Sequence, residues 1–433
     1  MSHVHIIGGG LAGLSAAIEL STQAQVTLYE AGPVCGGRAR SYYDRSLDAL
    51  IDNGNHLILS ANALTFRYLD IIGSRDTLVG PGEPIFPYYD LAKDLAWTLR
   101  LSNGRIPFWA LSRKKKVPGM RLSEFASIFR LLRAKDETTV EECLSEGQLS
   151  RRLLEPLSIS ALNTDLKTGS ALLLANVMRR SLMQGGMACR PWFPETGLSE
   201  TFVDPALAFL SKYHGIVKTG SRVNSIQKEG GRVQSFETTQ GIINLGAEDY
   251  VIVATPAPVT QNLLPEVSAP DAYESIVNVH YKLPFVPHIQ GVVARSKFIG
   301  LVGGIAEWVF IKGNILSVTV SAANRYAAQD NETLTSIIWS EIRRATNPVI
   351  TEELPDEAPP SRLVREKRAT FAATPEQNRK RPYARTDIKN MALAGDWTNT
   401  GLPSTIEGAI QSGLSAVSAL GFRSAVFYTE KNL

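Results

Sequence analysis

His3-Val4-His5-Ile6-Ile7-Gly8-Gly9-Gly10-Leu11-Ala12-Gly13 stands near the start of the chain, and Val26-Thr27-Leu28-Tyr29-Glu30 follows it. The pattern predicts an apolar strand, a glycine turn, a helix of small residues and a second strand that ends in an acid. Gly8 permits the tight turn, Gly10 lets the backbone approach a pyrophosphate, and Gly13 lets the helix pack on the strand. Glu30 is placed to bind ribose hydroxyls. The stretch predicts a dinucleotide site, with an ordinary buried glycine turn as the simpler alternative.

Length and composition indicate a folded protein of two domains: 433 residues, 44% hydrophobic and 20% charged. The first strand begins by residue 3, so we expect no signal peptide. No run of roughly 18 uncharged apolar residues occurs, so no spanning helix is expected. Cys35, Cys143 and Cys189 lie far apart and the six histidines are scattered. We therefore expect a reducing cytoplasm and no metal site.

The net charge of +3 is unevenly spread. The basic segment, residues 100–135, holds ten basic residues and one acid, Glu124, so the rest of the chain holds 35 basic and 41 acidic residues. Aromatic residues such as Phe108 and Trp109 are interleaved with the bases. This mixture is typical of a surface that binds anionic membranes, although a solvated helix face over a core is the alternative. No nucleic-acid-binding module is found. We expect a cytoplasmic protein held peripherally at the inner face of the cytoplasmic membrane.

The order of the segments predicts an α/β fold with a discontinuous second domain. Tyr250–Ala254 is an apolar run typical of a buried parallel strand. We expect residues 1–78, 198–262 and 386–433 to form a Rossmann-type domain. Residues 79–197 and 263–385 are expected to form a substrate domain of mixed sheet plus helices.

Within the predicted substrate domain, three regions differ in their patterns. Residues 80–200 suggest helices with long apolar and basic segments. Trp308–Ile311 and Ile315–Val320 predict a hairpin, and Asn331–Thr346 predicts a helix beside it.

Five stretches together resemble the flavin-containing amine oxidase and phytoene desaturase superfamily: Gly8–Gly13, Glu30, Gly36–Arg38, Thr255-Pro256 and Ala394–Ala409. The resemblance implies an FAD-binding domain. It also implies that Asp396 contacts the ribityl–pyrophosphate region and that the helix after Thr405 points its N-terminus at the isoalloxazine. The FAD-binding residues that we infer are Gly8, Gly10, Leu11, Ala12, Gly13, Glu30, Ala31, Gly37, Arg38, Gly54, Asn55, His56, Val223, Gly395, Asp396, Ser404, Thr405 and Ile406. A second glycine fingerprint is not found, so the electron donor stays open.

Three further stretches narrow the family. Leu154–Thr164, Pro194–Asp204 and Arg365–Phe371 are similar to bacterial hydroxysqualene dehydroxylases. That resemblance implies that hydroxysqualene loses its allylic hydroxyl, receives a hydride from reduced FAD and becomes squalene, for hopanoid synthesis. Amine oxidases have a lysine where Asn278 stands, which disfavours amine oxidation.

The implied reaction needs an acid, because hydroxide is a poor leaving group. Asp52 and His56 are the candidates, since they follow the Gly36–Arg38 loop in a segment that borders the isoalloxazine in the family. A buried carboxyl with a raised pKa, or an imidazolium, could donate the proton. Alternatively, Asp52 caps a turn and His56 only contacts the flavin.

The implied isoprenoid substrate needs an apolar tunnel. The aromatic residues predicted to line it are Phe86, Tyr88, Tyr89, Trp97, Phe108, Trp109, Trp192, Phe193, Trp308 and Phe310. The same fold and cofactor would also suit an isoprenoid desaturase. An amine oxidase and a non-catalytic lipid-binding flavoprotein are further alternatives.

Overall fold

The computed structural model describes residues 2–426. Its first sheet is parallel throughout, and its strands lie side by side in the order Ile216–Lys218, Gln25–Tyr29, His3–Ile7, Asp249–Val253 and Met391–Leu393. Helices cover the sheet, so its apolar strands are buried, as in other parallel sheets. Because the strands run in one direction, their carboxyl ends share one edge. That edge carries the glycine turn (residues 8–13), Glu30, Thr255 and Asp396.

Two helices of small residues pack on this sheet and on each other, Leu11–Leu20 and Ile406–Ala419. A Cβ atom at Gly413 would lie 2.2 Å from the carbonyl oxygen of Ala12, so only glycine allows this approach. The Ser15 hydroxyl donates to the carbonyl of Ile410 across the same contact, at 3.3 Å. The crossing places the first turn of the helix Leu11–Leu20 against the middle of the helix Ile406–Ala419.

The second sheet has seven strands in the order Ser361–Phe371, Tyr273–Lys282, Ile315–Val320, Trp308–Lys312, Phe298–Val302, Ile85–Asp90 and Leu95–Arg100. All neighbours are antiparallel except Phe298–Val302 with Ile85–Asp90. The predicted hairpin is present, and the predicted helix spans Asn331–Thr346. One face of the sheet packs on that helix, which buries Trp339 at 1% exposure.

The remaining elements are short. Further strands are Ser41–Asp44, Ala49–Asp52, Ile58–Leu59, Leu78–Val79, Pro191–Pro194, Val223–Glu229, Arg232–Thr238 and Gly241–Asn244. The other α-helices are Ala63–Ile72, Ala126–Leu132, Val140–Cys143, Glu155–Leu162, Ala171–Arg180, Asp204–Lys212, Ala257–Leu263, Val293–Ser296 and Pro375–Arg379. Two π-helical turns, Ser150–Leu154 and Ser199–Val203, lead into helices. The 3₁₀ turns are Arg75–Thr77, Phe108–Leu111, Leu122–Phe125, Leu182–Gln184, Gly186–Cys189 and Ala323–Tyr326. No helix within residues 2–426 combines the length and apolar character needed to cross a bilayer.

The two sheets draw on different parts of the chain. The parallel sheet takes its strands from the segments that we assigned to the Rossmann-type domain, and the seven-stranded sheet from the others. The domain boundaries stay a prediction, and residues 427–433 of the last segment lie outside the described residues.

The prediction that residues 80–200 are helical is wrong for Ile85–Asp90 and Leu95–Arg100, which form a β-hairpin on the seven-stranded sheet. Pro87 weakens the strand pattern of this segment, because proline cannot donate to a ladder. In the fold, pairing to the next strand begins only at Tyr88.

Candidate cofactor and substrate site

The glycine turn has the close contacts that its sequence predicts. Gly8 has φ +112°, and a Cβ there would lie 2.5 Å from the carbonyl oxygen of Ala254. A Cβ at Gly13 would lie 1.9 Å from the carbonyl oxygen of Gly8, so the helix touches the turn. Gly10 differs, because a Cβ there would meet nothing within 4 Å. Gly10 therefore borders open space at the helix N-terminus, where Leu11 and Ala12 begin the first turn.

Glu30 fixes the turn from the neighbouring strand. Its carboxylate accepts hydrogen bonds from the backbone N–H of Gly9 at 2.8 Å and of Gly32 at 2.7 Å. Glu30 is half-buried, while Ala31 is exposed. The backbone of residues 218–221 runs alongside Glu30 and leads to Val223, which is buried in the core.

The Gly36–Arg38 loop folds over the glycine turn. The N–H of Gly36 donates to the carbonyl of Gly9 at 2.8 Å, and Gly37 has φ +58°. The Arg38 guanidinium donates to the Asp396 carboxylate and to the carbonyl of Ala369. The loop, the turn and Asp396 are thus brought together, with Arg38 held by Asp396.

Arg381, which the sequence reasoning missed, supports the segment around Asp396. Its side chain is buried and donates to the carbonyls of Trp397 and Thr398 and to the Thr400 hydroxyl. Burial lowers the pKa of Arg381 to about 9, against the opposing effect of Asp396. The guanidinium therefore remains charged at neutral pH. Nothing in the local sequence marks it, because its partners are backbone carbonyls that follow it by about 15 to 20 residues.

The helix that starts at Ile406 presents its N-terminus beside this segment. The Thr405 hydroxyl caps the helix by accepting from the N–H of Gly408 at 3.0 Å. Ser404 is half-buried, and its Oγ is buried and makes no hydrogen bond within residues 2–426. Gly395 has φ +143° and turns the chain from the strand to Asp396.

These observations fit a bound dinucleotide. A Cβ at Gly10 would meet open space, Glu30 stands at the next strand end, and the Ser404 hydroxyl makes no hydrogen bond with the described residues. Helix N-termini favour anionic groups. Among residues 2–426, no cluster of three or more His, Cys, Asp or Glu side chains is placed to hold a metal ion.

Asp52 lies at a junction of three segments. One carboxylate oxygen accepts from the Ser41 hydroxyl at 2.6 Å and the backbone N–H of Leu198 at 2.8 Å. The other accepts from Lys312 Nζ at 2.7 Å, and both side chains are largely buried. Both oxygens are thus occupied by donors, so the observed contacts hold the three segments together. Its role as an acid stays a prediction.

His56 lies beside Asp52 and is half-buried. Burial lowers its pKa to about 4, with Arg38 and Lys312 acting in the same direction and Asp52 against them. The imidazolium that we considered as a proton donor is therefore not the resting form near neutral pH.

The 53–56 loop, which contains Gly54, Asn55 and His56, docks on the seven-stranded sheet. Asn278 donates to the carbonyl of Asn53 at 3.3 Å and accepts from the Thr319 hydroxyl at 2.9 Å. Asn55 donates to the same hydroxyl at 3.0 Å. The inferred cofactor-contacting loop is thereby joined to the predicted substrate domain.

The sheet face under this loop is aromatic on one side and polar on the other. Residues paired across strands share a face. One row runs through Trp97, Tyr88, Gly300, Trp308, Thr319 and Asn278, and the next runs through Phe298, Phe310, Ser317 and His280. We call Tyr88, Trp97, Phe298, Trp308 and Phe310 the aromatic end, and Asn278, His280, Ser317 and Thr319 the polar end. The polar end lies under the 53–56 loop.

The aromatic end is closely packed. The rings of Tyr88 and Trp97 stack at 5.2 Å between centroids, and Trp308 lies 5.5 Å from Tyr88. Phe193 and Phe86 pack on Phe298 from neighbouring segments. Six of the ten predicted lining residues therefore meet at this end: Phe86, Tyr88, Trp97, Phe193, Trp308 and Phe310.

The other four lie elsewhere. Tyr89 belongs to the core on the opposite face of the sheet, beside the helix Asn331–Thr346. Trp109 packs on Phe125, Trp192 packs on Phe66, and Phe108 is 63% exposed. Only Phe108 and Trp109 belong to the basic segment.

Two of the family-like stretches contact each other, and the third contacts Asp52. Asn163 donates to the Thr370 hydroxyl at 2.9 Å, which joins 154–164 to 365–371. The stretch 194–204 contains Leu198, whose N–H binds Asp52. All three therefore support the two sheets around the site.

Comparison with known proteins identifies the family. The family model for flavin containing amine oxidoreductase matches residues 11–420. A hydroxysqualene dehydroxylase from Zymomonas mobilis is 41% identical over 96% of this chain and 98% of that protein. A hydroxysqualene dehydroxylase from Sinorhizobium fredii is 38% identical over 95% of this chain and 96% of that protein. The chain belongs to the flavin-containing amine oxidoreductase family, among the hydroxysqualene dehydroxylases.

A solved member of the same fold is cyclohexylamine oxidase from Brevibacterium oxydans. It is 15% identical, covers 97% of this chain and 98% of its own, and superposes with a TM-score of 0.66. The expected family, fold class and FAD cofactor are confirmed, and the protein is an FAD-dependent oxidoreductase. The individual FAD-binding and catalytic residues stay predictions.

His280, Ser317, Thr319 and Lys312 were not singled out from the sequence. A signal for two of them exists in Ile315–Val320, where Ser317 and Thr319 alternate with aliphatic residues. A period of two places both on one face of a strand. Lys312 could not be found this way, because its partner Asp52 lies 260 residues away.

Gly10→Ala should separate cofactor binding from folding. The new methyl group meets no protein atom, so we expect an unchanged Tm of the apoprotein and at least about a tenfold loss of FAD affinity, because the pyrophosphate approaches there. Flavin absorbance per protein and FAD titration of the apoprotein measure this. Gly104→Ala, at an equally open surface glycine, is the matched control, and Gly13→Ala should lower the Tm through its clash. Full FAD affinity in Gly10→Ala would contradict the assignment.

Acid should destabilise the fold through buried histidines. Burial lowers the pKa of His5 and His280 to about 4, while the unfolded chain protonates near 6.5. Between these values the unfolded state binds protons that the folded state does not, so stability falls as pH falls from 6.5 to 4. The slope is up to about 1.4 kcal/mol per pH unit for each group.

Urea unfolding between pH 7 and pH 4.5 measures this slope. His280→Gln should reduce it, whereas His214→Asn, at an exposed histidine whose positive φ asparagine tolerates, should leave it unchanged. Equal slopes for wild type and His280→Gln would show that His280 is not buried as a neutral group.

Proposed function

We propose that this protein converts hydroxysqualene to squalene, by loss of the allylic hydroxyl, in squalene and hopanoid biosynthesis. The observation that carries the proposal is the similarity, along nearly its whole length, to hydroxysqualene dehydroxylases. FAD in its reduced form supplies the hydride for this chemistry.

The seven-stranded sheet offers what such a substrate requires. A long isoprenoid chain needs apolar surroundings and its single hydroxyl needs polar partners. The aromatic end and the polar end, both largely buried, hold side chains of these two kinds. Aromatic faces such as that of Trp308 also stabilise a developing allylic cation. Exclusion of bulk water by this packing protects the cation from capture.

Asn278 argues against amine oxidation. The family resemblance aligns it with a lysine that amine oxidases share. Its side chain is 1% exposed, and its amide is hydrogen-bonded to the carbonyl of Asn53 and to the Thr319 hydroxyl. An amide held in this way positions the 53–56 loop and offers no ammonium group. We therefore assign Asn278 the role of positioning the 53–56 loop.

Asp52 and His56 remain candidates for the catalytic acid. Replacing Asp52 by Asn and His56 by Ala tests them, and unchanged turnover in both variants would exclude both. Asp52→Asn also weakens the ion pair with Lys312, so its FAD content and Tm must be measured alongside turnover.

An anaerobic single-turnover experiment tests the reaction. Enzyme is reduced until its flavin absorbance is bleached and is then mixed with hydroxysqualene in detergent. We expect the oxidised absorbance to return with one squalene formed per flavin. If the flavin stays reduced, and squalene or phytoene instead bleaches the oxidised enzyme, the protein is a desaturase.

We also propose that the basic segment docks the protein on an anionic membrane, at the inner face of the cytoplasmic membrane, where the substrate dissolves. Ile106, Phe108, Leu111, Leu122 and Phe129 of this segment are 57–67% exposed. The exposed basic residues of the same segment include Arg105, Arg113, Lys114, Lys115 and Arg121. Exposed apolar groups insert into a bilayer, and the surrounding positive charges are attracted to its anionic headgroups.

Liposome sedimentation tests the docking. Phe108→Ser with Leu111→Ser should weaken binding to anionic vesicles by at least about tenfold, because the side chains no longer insert. Ile242→Ser with Val286→Ser is the matched control, since those side chains are 66% and 65% exposed in other parts of the chain. Wild-type binding should fall with added salt. Equal binding to neutral and anionic vesicles, or no loss in the Phe108 and Leu111 variant, would contradict docking.

A further inference from the structure

An open groove of about 500 Å³ lies between the helix Ala63–Ile72 and the segment 190–192. We call it the arginine groove, because three arginines line it: Arg67, Arg75 and Arg190. Of the described residues that line it, one is acidic, Asp70. Three guanidinium groups beside one carboxylate give the groove a surplus of positive charge, so it favours an anionic ligand.

The three arginines differ in their partners. Arg67 donates two hydrogen bonds to Glu19, at 2.8 and 3.2 Å. Arg75 binds both oxygens of Asp70 through Nη1 alone, at 3.1 and 2.9 Å, so its Nε and Nη2 have no hydrogen bond within residues 2–426. The guanidinium of Arg190 is half-buried and makes no hydrogen bond or ion pair with the described residues. A partly desolvated cation without a counterion is costly, and an anion in the groove would remove that cost.

An aromatic pair holds two of these arginines in place. Arg75 lies over the Phe66 ring at 4.9 Å, and Arg190 lies over the Trp192 ring at 5.8 Å. The two rings contact each other edge to face, with their centroids 6.1 Å apart. A guanidinium that stacks on a ring keeps the N–H groups at its edge available, and these match the oxygens of a phosphate. The groove therefore has the chemistry of a phosphate site beside aromatic side chains.

The arginine groove adjoins the basic segment. The N–H of Met187 donates to the carbonyl of Asn103, which belongs to that segment, at 3.3 Å. Three residues further along, the carbonyl of Arg190 accepts from the N–H of Ser60, which lines the groove, at 3.0 Å. Three residues span at most about 10 Å. The groove thus opens beside the surface that we propose to dock on the membrane, and the Met187 side chain between them is 42% exposed.

We propose that the arginine groove binds the phosphate of an anionic phospholipid headgroup when the protein is docked on a membrane. Arg190 and Arg75 donate to the phosphate oxygens, as basic pockets do for lipid headgroups. Ile71 and Trp192 line the same groove and contact the glycerol part of the lipid, and tryptophan is enriched at the depth of the headgroups. The inference rests on the proposed docking and adds to it a specific lipid site.

A headgroup site does what the basic segment alone does not do. The basic segment attracts many anionic lipids by charge and inserts apolar side chains, which leaves the protein free to tilt. A single lipid bound by hydrogen bonds in the groove adds a second point of attachment at a fixed place on the protein. Two linked contacts bind more tightly than either one alone. Together they fix which side of the protein faces the bilayer that holds its substrate.

Titration calorimetry of the FAD-bound protein with dihexanoylphosphatidylglycerol, a water-soluble phospholipid, tests the groove without a membrane. We expect saturable binding at a single site. Arg190→Gln should weaken this binding at least about tenfold, because hydrogen bonds between a guanidinium and a phosphate are lost. Arg113→Gln is the matched control, since it removes the same charge from an exposed side chain of the basic segment, and it should leave the affinity unchanged.

Inorganic phosphate is the second probe, and it distinguishes a lipid site from a site for free phosphate. It should bind at least about tenfold more weakly than the lipid, because it makes no apolar contact with Ile71 or Trp192. Equal affinity for inorganic phosphate would overturn the assignment to a lipid. Equal lipid affinity of Arg190→Gln and wild type would overturn the site. Arg75→Gln, which loses only an exposed ion pair, should also weaken lipid binding while keeping the Tm and FAD content of the wild type.

Sedimentation with vesicles that contain phosphatidylglycerol separates this inference from the proposed docking. Arg190→Gln should need at least about ten times more lipid than the wild type for half-maximal binding, and Arg113→Gln should need less than Arg190→Gln. If the wild-type protein does not sediment with these vesicles, the docking itself fails. If the wild type sediments and Arg190→Gln sediments equally well, the headgroup site alone fails.

Discussion

The Asp52 carboxylate joins three parts of the chain: Ser41 on its own hairpin, Leu198 before a helix of the parallel-sheet side, and Lys312 on the seven-stranded sheet. The ion pair with Lys312 is largely buried. Removing one partner of such a pair leaves an uncompensated charge and typically costs about 3–5 kcal/mol. Asp52 also directly precedes the 53–56 loop. The position of that loop over the seven-stranded sheet therefore depends on the contacts of Asp52. Asn278 and Thr319 hold the rest of the loop.

The position of the 53–56 loop determines which face of the sheet lies beneath it. Alternation along the strand Trp308–Lys312 directs Trp308, Phe310 and Lys312 to one side, and pairing places Thr319 and Ser317 beside the two aromatic residues. A single surface therefore passes from aromatic to polar within two strands. Such a surface suits a molecule with a long hydrocarbon chain and one hydroxyl. The fold is shared with amine oxidases, and the family resemblance aligns Asn278 with their lysine.

Local patterns in the sequence predicted much of the fold. Gly8–Gly13, the hairpin around 308–320 and the helix Asn331–Thr346 depend on neighbouring residues, so periodicity and turn chemistry reveal them. Asp52 was recognised as important, but its partner Lys312 was not, since nothing local relates residues 260 positions apart. The strands Ile85–Asp90 and Leu95–Arg100 were missed because Pro87 obscures their pattern. Arg381 was missed because it binds backbone carbonyls, which carry no sequence signature. FAD followed from the family resemblance together with the glycine turn.

We expect the substrate oxygen at the polar end of the seven-stranded sheet. A crystal structure of the oxidised enzyme with hydroxysqualene tests this most directly, because oxidised flavin has no hydride to give and the substrate stays intact. We predict that the hydroxyl oxygen lies at the polar end and that the hydrocarbon chain lies along Trp308 and Tyr88. A hydroxyl found beside Tyr88 and Trp97, or one directed to solvent, would contradict it.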